Sequence, residues 1–145
     1  MKKVLMISSI FALSACVSWP DEWSNDYEID VRQYGGSLPE SWQMQIKGDS
    51  AIYKNIHMGK EEVVRFTPKR NELNSLAQII KNAHPEEIHM KQHAVTYDKS
   101  TAFMRIRYKN HSIELEESAN KSISNRERFN LIYDFVAAMR PKKND

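Results

Sequence analysis

Few groups in this chain are equipped for chemistry: one cysteine, five histidines and 19 carboxylates in 145 residues. Three of the histidines fall within "HPEEIHMKQH", residues 84–93, as His84, His89 and His93, with Glu86 and Glu87 between them. On a helix, His89 and His93 would present both imidazoles on one face at metal-ligand spacing. A zinc-peptidase motif also needs a glutamate directly after the first of these histidines; Met90 stands there, so the general base is missing. On a strand the same two side chains would lie about 13 Å apart at ~3.3 Å per residue, too far to share one ion easily. The competing reading, a solvated polar segment, takes precedence: His89 and His93 are weak metal candidates, and no cofactor is expected. Nucleophilic catalysis has less support still. No G-x-S-x-G elbow occurs, all four glycines sit at apparent turns, and no pair of carboxylates stands out by position. An enzyme is not expected.

Cys16 is different, because its surroundings specify a reaction. Lys2 and Lys3 give a positive start, residues 4–13 form an almost unbroken apolar run, and the small residues Ser14 and Ala15 precede the cysteine. That order describes a secretory signal peptide, and the run is far shorter than the ~20 residues a membrane-spanning helix needs. A buried first strand or helix of the folded domain is the competing reading, but a soluble fold has no need of this sequence of features. The segment Leu13-Ser14-Ala15-Cys16 resembles the lipobox of bacterial lipoproteins. The resemblance implies that a diacylglyceryl group is attached to the Cys16 sulfur, that residues 1–15 are removed as a lipoprotein signal peptide, and that the new amine is usually acylated. At ~0.8 kcal/mol per buried CH₂, two or three acyl chains hold a protein on a bilayer essentially permanently. In that family an Asp after the cysteine tends to retain the protein on the inner membrane. Val17 occupies that position, which points to the outer membrane and its periplasmic face.

Without residues 1–15 the chain keeps 130 residues, enough for one domain with a core. The signal takes Lys2 and Lys3 from the 21 basic residues, leaving 19 against 19 acidic ones. A nucleic-acid binder normally shows a basic excess, so nucleic acid is not expected as a partner. With Cys16 acylated no internal disulfide can form, and stability must come from packing alone.

Residues 16–25 read as a lipidated tether, although Trp19 and Trp23 are unusual in one: they suit either the lipid headgroup region or a place on the domain. A single domain is expected over residues 26–141, with a polar tail at 142–145. "YEIDVRQY" at 27–34 alternates apolar and polar residues as a half-buried strand does. "WQMQIK" repeats the pattern at 42–47, with strands from 51 to about 57 and at 62–67 following across turns at "GDS" and Gly59-Lys60. Thr67-Pro68 reads as a helix start, and Leu73, Leu76, Ala77, Ile80 and Ala83 form one apolar stripe before Pro85. After a mixed segment, "TAFMRIRY" and "HSIELEE" make a hairpin around Lys109-Asn110. Ser124 and Glu127 match a capping box, ahead of a second stripe at Phe129, Ile132, Tyr133, Val136 and Met139. The fold class is α+β: an antiparallel sheet, meander plus hairpin, with two amphipathic helices on one face and water on the other.

For recognition, the best candidate is "YGGSLPESW", residues 34–42. Gly35 and Gly36 let backbone approach a partner, Ser37 adds a hydroxyl, and Tyr34 and Trp42 could frame the loop as aromatic anchors. The plainer reading makes it a strand connection with Trp42 in the core. An open sheet edge is another docking possibility. The run "GGSLPESWQMQIKGDSAIYKN" followed by "TPKRNELNSLAQIIKNA" is similar to a family of small exported bacterial proteins and, in its order of elements, to emfourin-like inhibitors of thermolysin-type proteases. Leu38-Pro39 and Ser50 depart from the first family's Cys-Pro and Gly. The resemblance implies the fold and carries over no inhibitory residue. The expectation is an outer-membrane lipoprotein whose module binds a periplasmic protein, as an inhibitor or immunity-type protein against an envelope hydrolase; the alternative is an accessory to envelope assembly or maintenance.

Overall fold

The computed structural model describes residues 18–95 and 98–142. Cys16, the signal segment and most of the polar tail lie outside those residues.

Alternation sets the sheet. Strands β1 (Tyr27–Tyr34), β2 (Glu40–Lys47), β3 (Ser50–His57) and β4 (Lys60–Phe66) run as an antiparallel meander. Helix α1 (Arg70–Ala83) follows, then the three-residue strand β5 (Met90–Gln92). The hairpin of β6 (Thr101–Tyr108) and β7 (His111–Glu117) returns to the free side of β1, giving the order β4-β3-β2-β1-β6-β7. Strand β8 (Lys121–Ile123) pairs with β5 as a separate small sheet, and helix α2 (Arg126–Ala138) closes the chain. The domain is therefore α+β, as expected from the sequence, with four strands after α1 rather than two or three.

Register puts Tyr27, Ile29 and Val31 of β1 beside Ile46 and Met44 of β2 and Tyr108, Ile106 and Met104 of β6, all on one face. These side chains are buried or nearly so, and the α1 stripe Leu73, Leu76, Ala77, Ile80 and Ala83 is wholly buried with them. From the α2 stripe Phe129, Ile132 and Val136 are buried, while Tyr133 and Met139 pack partly covered against the same core. Helix α1 ends where Pro85 forbids continuation: His84 takes the left-handed conformation at φ 48° and Pro85–Glu87 forms one 3₁₀ turn.

Three local expectations need correction. Helix α1 starts at Arg70 with Lys69 as its N-cap, whose N–H donates to the Glu72 carboxylate at 2.9 Å; Thr67 and Pro68 precede the helix. The Ser124–Glu127 capping box does not form. The Ser124 hydroxyl accepts instead from the His89 N–H at 3.0 Å, joining the two segments of the small sheet, and Asn125 becomes the cap residue at φ 52°. A long-range bond here outcompetes the local one.

The third correction concerns the expected tether. Trp19 and Trp23 are among the most buried side chains of the protein. Trp23 stacks on Tyr27 at 4.6 Å and donates its indole N–H to the Gly48 carbonyl at 2.6 Å. Trp19 donates to Glu86 at 2.8 Å. The folded body therefore begins by Trp19 rather than at residue 26. Among the described residues no helix is long and apolar enough to cross a membrane.

Candidate functional site

Among the described residues the second face of the sheet carries no helix, and its centre is a carboxylate. Asp30 alternates with Ile29 and Val31, so it points away from the core, yet it is only 1% exposed. Its neighbours cover it. Arg32, two residues along the same strand, donates from Nε to both Asp30 oxygens at 3.0 and 3.1 Å, and its Nη2 closes on Asp30 Oδ2 as well. Gln43 of β2 donates at 3.0 Å and Gln45 at 3.4 Å. Arg105 of β6 approaches at 3.4 Å and reaches Glu114 of β7 at 3.7 Å. Register explains the convergence: Gln45, Asp30, Arg105 and Glu114 lie in one row across four strands. Phe103 carries the Arg32 guanidinium over its ring at 5.2 Å.

Burial is the largest influence on Asp30 and by itself would raise its pKa. Hydrogen bonds from Arg32, Gln43 and Gln45, together with the Arg32 charge, outweigh it and hold the carboxyl below the ordinary carboxylate value. Asp30 is therefore a saturated anion at neutral pH. It is unsuited to proton transfer and well suited to holding Arg32, Arg105 and two amides in fixed positions on an open surface.

Beside this lattice lies a cleft of about 210 Å³ lined by Arg32, Tyr34, Ser41, Trp42, Lys54 and Ile56, among others. Tyr34 and Ile56 are each 43% exposed, and Val63 is 44% exposed further out on β4. Apolar side chains thus interrupt a face otherwise made mostly of charged, amide and hydroxyl groups, with Ile52 and Phe103 among them.

The loop singled out by sequence borders this cleft, but most of it is spent on the protein itself. Gly36, at φ 63°, lies against backbone of residues 99 and 100: a Cβ there would meet the Ser100 nitrogen at 2.8 Å. The close approach that glycine allows is thus made to the chain's own backbone. Ser37 donates to the Asp98 carboxylate. Gly35, at φ 76°, faces open space. Trp42 is in the core, as its strand phase suggested: its indole N–H donates to Gln33 at 2.9 Å, Arg140 lies over its ring at 4.4 Å, and Tyr133 packs 5.7 Å away. Of the five loop candidates Trp42 is buried and the other four are exposed, Gly36 and Ser37 while held against residues 98–100.

His89 and His93 flank the short strand β5. His93 Nδ1 sits 2.8 Å from the Ala94 carbonyl. Among the described residues the ligand-type side chains that gather within 4.8 Å of one another are instead His84, Glu86 and Glu87, all on the surface. These already serve the fold: Glu86 meets His84 at 3.2 Å and accepts from Trp19, and Glu87 pairs with Arg128. Sequence reasoning missed Asp30 as a centre. The available signal was an Asp and an Arg two apart on one strand face.

Comparison with known proteins adds no relative: no family model matches the chain, and no curated protein matches it significantly.

Proposed function

We propose that this chain is a lipid-anchored binding module of the bacterial envelope, held by Cys16 on the periplasmic face of the outer membrane, and that the uncovered sheet face receives a protein partner. The observation that carries the reading is the Asp30 lattice. A buried anion that fixes two arginines and two amides on the face opposite the two helices prepares polar contacts in advance, and preorganisation of that kind lowers the cost of association. Tyr34, Ile56 and Val63 supply apolar contact beside it, the mixture of anchors and polar groups usual at protein interfaces. A saturated carboxylate supports binding over catalysis. The partner class we favour is a hydrolase acting in the envelope, with the chain as its inhibitor or immunity protein.

The test is site-specific photo-cross-linking in living cells from positions 34, 54 and 56, with position 131 on the exposed side of α2 as reference. The three sheet positions should capture one discrete envelope protein that position 131 does not. The purified chain should then inhibit that protein if it is a hydrolase. Capture of resident assembly machinery instead would replace the inhibitor reading with the accessory one, and equal capture from position 131 would remove the sheet face as the docking surface. Palmitate labelling should be lost in Cys16→Ser; retained labelling would end the anchor reading.

A further inference from the structure

The two edges of the six-stranded sheet are treated differently. Beyond β7, the Ser118 N–H donates to Lys121 at 3.0 Å and the Glu116 N–H meets Met90 Sδ at 3.1 Å, so the small sheet shields the C-terminal end of that edge, while Ser112 and Glu114 nearer the hairpin turn stay exposed. Among the described residues no strand covers β4 at the opposite edge, which is largely exposed over its seven residues "KEEVVRF", and its register with β3 runs without a bulge. Such edges are usually blunted, because they template pairing with another strand.

Backbone phase tells which groups are available. Met58 and Gly59, both at positive φ, make a two-residue turn, and His57 faces Lys60 across it. The pair flanking such a turn is hydrogen-bonded, and bonded and non-bonded pairs alternate from there. Lys60, Glu62, Val64 and Phe66 therefore bond to β3, while Glu61, Val63 and Arg65 aim their N–H and C=O groups outward. Among the described residues nothing bonds to those groups.

The same three residues place their side chains on the open face. Glu61 and Arg65 have no ion-pair partner among the described residues, and their neighbours on β3 are Ile56 and Ile52. Four positions apart on one strand, they lie ~13 Å from each other and cannot pair within one chain. An antiparallel second copy changes this. With the two-fold axis at Val63, each Glu61 stands opposite Arg65 of the second copy, and Val63 stands opposite itself. A slip of two residues sets Glu61 against Val63 and forfeits both ion pairs, so the charges select one register.

We infer that a second copy of this chain docks on β4, antiparallel and centred on Val63, extending the sheet across both molecules. About six inter-strand hydrogen bonds then satisfy the outward groups. The open faces of the two copies become one surface, and Arg65 of the second copy joins Glu61 at the rim of the Tyr34 cleft.

The test uses the full chain in intact cells under mild oxidation, with the unsubstituted chain as control for Cys16. Facing residues in a bonded antiparallel pair have Cα atoms ~5.5 Å apart, within disulfide range. Val63→Cys should give a disulfide-linked dimer on a non-reducing gel. Lys60→Cys should not, because two Lys60 positions would stand roughly 20 Å apart in this register. In the Val63→Cys background, Glu61→Lys or Arg65→Glu alone should cut dimer yield by about fivefold, and the two together should restore it. Circular dichroism would confirm that these exposed variants stay folded. Equal linking at positions 60 and 63, or a double variant as poor as the singles, overturns the inference. Neither outcome bears on the Cys16 anchor or on the partner captured by the sheet face.

Discussion

The two faces of the central sheet are ordered by opposite means. On the covered face Ile29, Val31, Met44, Ile46, Met104 and Ile106 lose water to two helices, and position follows from shape and close packing. On the open face no apolar layer arrives, yet Asp30 is as deeply buried as the residues behind it. There, directional bonds from Arg32, Gln43, Gln45 and Arg105 take the place of packing. A face ordered by packing is hidden from partners, whereas one ordered by charge can be rigid and still be presented. That difference is the reason we propose the Asp30 side as the surface that receives a partner.

Unfolding measurements on single variants can break or sharpen this contrast. The largest effect belongs to the covered side and its N-terminal extension: Trp23→Ala should lose about 4 kcal/mol in urea unfolding, the range for a buried aromatic. A loss under 1 kcal/mol would return residues 18–25 to the role of a loose tether. Next comes Asp30→Ala, which leaves Arg32, Gln43 and Gln45 without their acceptor and Arg105 with Glu114 alone, and should cost about 3 kcal/mol. The sign of its pH dependence is fixed. The folded-state pKa of Asp30 lies below its ordinary value of 3.8, so its contribution is complete above about pH 5, declines from there, and is lost as pH falls through the folded value. The stability gap between the native chain and Asp30→Asn should therefore be widest at neutral pH and close on acidification. A gap independent of pH would show that the carboxylate does not hold the lattice.

Gly36→Ala should cost about 2 kcal/mol, combining positive φ with a collision on backbone, against about 1 kcal/mol for Gly35→Ala, where only φ is at issue. Equal costs would mean that the loop is not pinned to residues 99 and 100. The smallest effect has the opposite sign. The Tyr133 hydroxyl is buried without a partner among the described residues, and burial pushes its pKa up to about 12. Tyr133→Phe should be stabilising by about 0.5–1 kcal/mol. A loss instead would mean that the hydroxyl is satisfied.

Legibility in the sequence followed the range of the interaction. The alternation in residues 27–34 and the stripe from Leu73 to Ala83 are set by neighbours within a few positions, and both elements lie where the pattern put them. Asp30 reads as one more water-facing residue of an alternating strand, because its burial depends on Arg105, 75 positions away, and on Gln43 and Gln45 across a loop. Trp19 and Trp23 sit among a proline and polar residues, and their partners Glu86 and Gly48 become visible only once the chain has folded. Ser124 carried a correct capping pattern that a distant N–H overrode. The cleft beside Tyr34 needed four strands in register, and no local pattern encodes that.

The burial of Trp19 bears on how far the molecule can reach. If acyl chains grip Cys16, the leash to the first immobilised side chain is three residues, roughly 10 Å at full stretch. Under that anchor the body's near side stays within about a nanometre of the lipid headgroups, and its reach into the compartment is set by its own width, roughly 35 Å for a domain of this size, rather than by slack in a tether.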